Sequence, residues 1–178
     1  HFLGHSTGPV QGQEEHLGDR LAEILADTRP EELYVPSLLE AHPDHRATWR
    51  IGLLATRGRS DIEILEYPVW FWHPRYLRGL LRRLLLDPRP SEGAVRSDGR
   101  SIRAPRRPRL VVVDVRDLLE DKRHALDAHA TQVSRPSDAG DDWTVLADLE
   151  DGRFLSRCFR PRELFLASRP VDRETEGF

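Results

Sequence analysis

An open α/β sheet with flanking helices is the fold class that this sequence predicts, and three observations carry it. Short apolar runs that read as strands, Leu33-Tyr34-Val35 and Leu110-Val111-Val112-Val113-Asp114-Val115, alternate with stretches of helical periodicity. The first run leads through the polar turn His42-Pro43-Asp44-His45 into a helix-like stretch, which makes a β-loop-α unit. The late run opens with four apolar residues, Leu110 to Val113, three of them β-branched, the pattern expected of a strand covered on both faces.

Taken in order, residues 13–28 carry Leu17, Leu21, Ile24 and Leu25 at helical spacing with charges between them, and Pro30 stops that helix. Leu33-Tyr34-Val35 is a short buried strand, and a helix is expected over 46–56. Residues 62–72 read as a further strand in which Pro68 favours an edge position or a bulge. An amphipathic helix over 76–85 bears Arg75, Arg78, Arg82 and Arg83, and Pro88 ends it. Residues 87–109 are rich in Arg, Pro, Ser and Gly and are expected to form a loop within the domain. A lid facing an anionic sugar is one use for such a loop, and a solvated Arg-rich insertion is the simpler one. After the late strand, a helix over 118–130 is expected to turn Leu118, Leu119, Ala125 and Leu126 inward, and 154–165 to close the domain with a strand and a short helix.

Composition bounds the function. A chain of 178 residues has a single-domain length, and a net charge of -3 argues against general nucleic-acid binding. Cys158 is the only cysteine, which excludes an internal disulfide and a Cys-rich zinc site and points most simply to the cytoplasm. No stretch approaches the ~18 to 20 apolar residues of a membrane span.

The most informative segment is His42-Pro43-Asp44-His45, which places two imidazoles and a carboxylate at a strand-to-helix turn, where open α/β sheets gather their chemistry. A metal hydrolase can use one such His as a ligand, the other as an acid or electrostatic stabiliser, and the Asp to fix a ring tautomer. The plainer reading is a pair of solvated turn histidines with Asp44 as a helix N-cap.

The surrounding order of elements resembles the PIG-L/LmbE-like family of zinc-dependent N-deacetylases. Phe2-Leu3-Gly4 with Gly8 is similar to that family's Phe-Leu-Gly turn, and residues 21–25 with Arg29-Pro30 to its helix ending in Arg-Pro. His42-Pro43-Asp44-His45-Arg46-Ala47-Thr48 is similar to its second metal motif. Val113-Asp114-Val115 with Lys122, Ala125-Leu126, His129, Thr131 and Gln132 is similar to its late strand and helix. The family's first metal motif, an Ala-His-Pro-Asp-Asp type turn, has no counterpart here. With His1 as the first residue and no Met, this makes the chain read as the carboxyl-terminal part of a longer protein.

The resemblance implies a single domain over 1–178 with a Rossmann-like sheet lacking its first strands, a zinc cofactor, and hydrolysis of the amide of an N-acetylated amino sugar or glycoconjugate. It makes His45 the zinc ligand, His42 the residue that stabilises the tetrahedral intermediate and protonates the leaving amine, and Asp44 the carboxylate that orients His42. Thr7 stands where the family has an acidic residue for a sugar hydroxyl, and His129 near the substrate mouth. Both are the weaker candidates for substrate binding. The remaining ligands and the general base belong to the absent motif, so the alternative is a non-catalytic fragment or binding module without a complete metal site.

Overall fold

The computed structural model describes residues 10, 12–40, 42–69, 94–97, 100–103, 108–138, 140 and 142–169, with the backbone alone at 94–97 and 100–103. The end of the expected Trp-containing strand at 70–72 and the Arg-bearing helix over 76–85 lie outside these residues. Contacts group the chain into two compact units, His1–Val111 with Phe165–Phe178, and Val112–Leu164.

The first unit begins with α1 (Glu14–Thr28), whose first turn carries Glu14 and Glu15 where the helix dipole favours negative charge. It ends where Arg29 takes a left-handed conformation (φ 48°) and returns its N–H to the Leu25 carbonyl, with Pro30 following. Strand β1 (Glu32–Pro36) leads to α2 (Pro43–Ala55), and β2 (Glu63–Tyr67) returns parallel to β1, with Leu33 opposite Ile64 and Val35 opposite Glu66. This is a β-α-β unit. Alternation along β1 sends Leu33 and Val35 to the face on which α2 packs. There Val35, Trp49, Leu53 and Ile64 form one buried cluster, while Leu25 of α1 joins Ala55 and Ile62 in a second.

Close approach between these layers depends on two glycines. A Cβ on Gly18 of α1 would lie 2.9 Å from Leu54 Cβ, and one on Gly52 of α2 would lie 2.8 Å from Val35 Cγ1. Neither position tolerates a side chain without movement of its neighbour.

The sheet has the strand order β1-β2-β6-β5, where β5 is Arg109–Asp114 and β6 is Arg162–Ser168, and β6 runs antiparallel to β2. The architecture is therefore a mixed α/β fold with an open sheet and flanking helices.

Three expectations are corrected. Within 87–109, expected to be loop, β3 (Ala94–Ser97) pairs antiparallel with β4 (Arg100–Arg103), Val95 opposite Ile102. A local signal was present, because the two segments are separated in the sequence by Asp98-Gly99, a strong hairpin dipeptide. Second, β5 is not covered on both faces: Leu110 and Val113 are exposed and Val112 is 52% exposed. A β-branched run records strand propensity, and this strand stands at the end of the sheet order.

Third, in the second unit the helix expected over 118–130 is broken into a 3-10 turn (Arg116–Leu118), α3 (Leu119–Asp127) and α4 (Ala130–Val133). Leu118 and Ala125, expected inward, are exposed, and no residue of α3 is fully buried. Another 3-10 segment (Leu146–Gly152) and α5 (Arg153–Cys158) follow in this unit, where the buried apolar side chains among the described residues are Val115, Val145 and Phe154. Around this small apolar interior lie the ion pairs of Lys122 with Glu163 and Arg157 with Glu150, and the Arg123 guanidinium over the Phe159 ring.

Candidate functional site

The turn between β1 and α2 is built on two buried carboxylates. Beyond Pro36 the chain bends, with the Glu40 N–H donating to the Ser37 carbonyl at 3.0 Å. Glu66, from β2, lies on the face that also carries Ile64, fully buried. Its Oε2 accepts the Ser37 hydroxyl at 2.9 Å and the Leu38 N–H at 3.3 Å, and the Ser37 N–H donates to the Tyr67 carbonyl at 3.0 Å. A charge taken out of water needs such donors, so Glu66 ties the start of the turn to the neighbouring strand.

Glu40 is the second buried acid, and its Oε1 accepts the Val69 N–H at 2.7 Å. Burial, and after it the charge of Glu40, hold the Tyr67 phenol above its ordinary pKa.

Pro43 fits the first turn of α2 because its missing N–H has no partner to lose there, and His42 is the N-cap, its Nδ1 accepting the Asp44 N–H at 3.2 Å. The Asp44 carboxylate accepts the Val10 N–H through Oδ1 at 3.2 Å, with Oδ2 3.9 Å from His42 Nδ1. One turn on, His45 Nδ1 lies 3.6 Å from Glu40 Oε2, and the two imidazole rings are 5.1 Å apart between centroids, tilted by 41°.

The fold thus brings His42, Asp44 and His45 together at the carboxyl end of β1. Thr7 lies outside the described residues. His129 is the exposed N-cap of α4 in the second unit, where its side chain makes no cap hydrogen bond. Sequence reasoning missed Glu40 and Glu66, although both left a trace: each is an acid inside an apolar run, Leu38-Leu39-Glu40 and Ile64-Leu65-Glu66.

Zinc in a hydrolytic site takes about three protein ligands and keeps an open position. Among the described residues no group of three or more His, Cys, Asp or Glu converges so as to hold a metal ion. The turn offers at most the imidazoles of His42 and His45, whose Nδ1 atoms face the Asp44 N–H and Glu40, and two such donors are short of the implied zinc set. What the arrangement offers is two neighbouring imidazoles, that of His45 beside the buried Glu40 carboxylate and that of His42 more than half exposed.

No protein-family model and no curated protein matches the chain. One solved structure to which it is similar, that of the antimicrobial reagent A40926 pseudoaglycone deacetylase Dbv21, is 20% identical with a TM-score of 0.49. That similarity covers 92% of this chain and 60% of the other, so this chain spans less than two thirds of that protein. Among the described residues no helix is long and apolar enough to cross a membrane.

Proposed function

We propose that this chain acts as a non-catalytic module whose histidine turn is an incomplete metal site. The observation that carries this reading is the donor count: among the described residues the turn supplies no third ligand to join its two histidines. Its role is then binding through the turn. The second reading keeps the chemistry implied by the resemblance, a cytoplasmic zinc-dependent N-deacetylase of an N-acetylated amino sugar or glycoconjugate. It is favoured by the placing of His42, Asp44 and His45 at the carboxyl end of β1, and it requires ligands from outside the described residues.

Equilibrium dialysis of the full chain against zinc, with elemental analysis of the bound metal and an assay of acetate release from N-acetylglucosamine conjugates, separates the two. The module reading expects zinc well below one equivalent and no hydrolysis above the buffer rate. One equivalent of zinc, with hydrolysis abolished by His45→Ala, would establish the deacetylase instead.

A further inference from the structure

We propose that Glu40 is a positioning residue that holds His45 in the Nδ1–H tautomer, so that the turn presents one donating and one accepting imidazole nitrogen. The inference rests on the reading of this turn as the functional site of the chain, and it is the same for either chemistry proposed for it.

His42 is set by the backbone. Its Nδ1 accepts the Asp44 N–H at 3.2 Å, so the lone pair of the neutral ring is on Nδ1 and the proton on Nε2. The Asp44 carboxylate would favour the opposite tautomer, but it stands farther off, at 3.9 Å, and holds the Val10 N–H.

His45 is set by a side chain. Its Nδ1 is buried and lies 3.6 Å from Glu40 Oε2, inside ion-pair range and beyond a direct hydrogen bond. The Glu40 side chain is 1% exposed and its other oxygen is fixed by the Val69 N–H at 2.7 Å, so the carboxylate stays where it is. In such a setting an N–H directed at the carboxylate is attracted and a lone pair is repelled. The proton therefore sits on Nδ1 and the lone pair on Nε2. The His45 side chain keeps 27% exposure while Nδ1 has none, so the open part of the ring lies away from Glu40. The carboxylate thus does for His45 what an outer-shell acid does for a ligating imidazole, with the backbone imposing the reverse on His42.

The test needs no altered protein at first. Two-bond 15N–1H correlation spectra of the metal-free, labelled full chain are recorded at a pH above the ordinary imidazole titration range. They are expected to show His42 protonated on Nε2 and His45 on Nδ1. In Glu40→Gln the His45 tautomer ratio should move toward Nε2–H by about tenfold, the effect of losing the attraction of a buried charge beyond direct hydrogen-bond distance, while His42 is unchanged. His45 protonated on Nε2 in the unaltered chain would overturn the assignment, as would a Glu40→Gln spectrum in which both histidines move together. Because no metal is present, zinc binding by the chain would change the proposed function and leave this result intact.

Discussion

Replacing Gly52 by Ala tests how α2, and with it the histidine turn at its start, is seated on the sheet. Two effects oppose each other. In a helix interior Ala is favoured over Gly by about 1 kcal/mol. Against that, the added Cβ would lie 2.8 Å from Val35 Cγ1 and 3.5 Å from Leu33 Cδ2. Overpacking of this kind costs about 1–3 kcal/mol, and Val35 has little freedom to yield, being a β-branched strand residue packed with Trp49, Leu53 and Ile64. The expected outcome is a net loss of up to ~2 kcal/mol, or several degrees in Tm at ~2–4 °C per kcal/mol for a chain of this size. Urea unfolding followed by tryptophan fluorescence reads it, and a double-mutant cycle isolates the cause. In a Val35→Ala background, where Cγ1 is gone, Gly52→Ala should become neutral or stabilising by up to ~1 kcal/mol, a coupling of about 1–3 kcal/mol. A Gly52→Ala chain more stable than the parent, or no coupling to Val35, would refute the close approach of α2 to β1.

Two further outcomes follow from particular contacts. Ser37→Ala removes the hydroxyl that donates to buried Glu66 and accepts the Leu39 N–H at 3.3 Å. Chemical denaturation should show a loss of about 2 kcal/mol, within the range for a hydrogen bond to a buried charge, and an unchanged midpoint would mean that Glu66 does not depend on this donor. Burial, assisted by Glu163 and opposed by Lys122, raises the Cys158 thiol pKa. The folded chain then holds that proton more tightly than the unfolded one. The resulting stability is full below the unfolded thiol's pKa and is lost as pH rises through the folded value. Iodoacetamide alkylation of the native protein should inflect above the ordinary thiol range, and Lys122→Met should move the inflection higher. An inflection at or below the unfolded thiol's value would contradict the burial of Cys158.

Local patterns determined much of this protein. The apolar spacing of 13–28 with Pro30 after it, and the run at Leu33-Tyr34-Val35, are realised as α1 and β1, although of that run, expected buried, Tyr34 is 52% exposed. The helix expected from residue 46 is also present, though α2 starts earlier, at Pro43. Periodicity and backbone punctuation act within a few residues, so a single sequence carries them. The Asp98-Gly99 pair shows that the β3–β4 pairing was also written locally. Burial was not. The Leu-Val run of β5 has every mark of a covered strand, yet it is exposed at the end of the sheet order, because cover must come from segments distant in sequence. The same holds at the site. His42 and His45 were visible as letters, but the acids beside them take their meaning from position. Glu66 was an ordinary charge until β2 lay parallel to β1 and set it under Ser37, and Glu40 until the turn folded it against His45. The surroundings of a charge, and hence the proton on a neighbouring imidazole, are properties of the assembled chain, which only the tertiary structure decides.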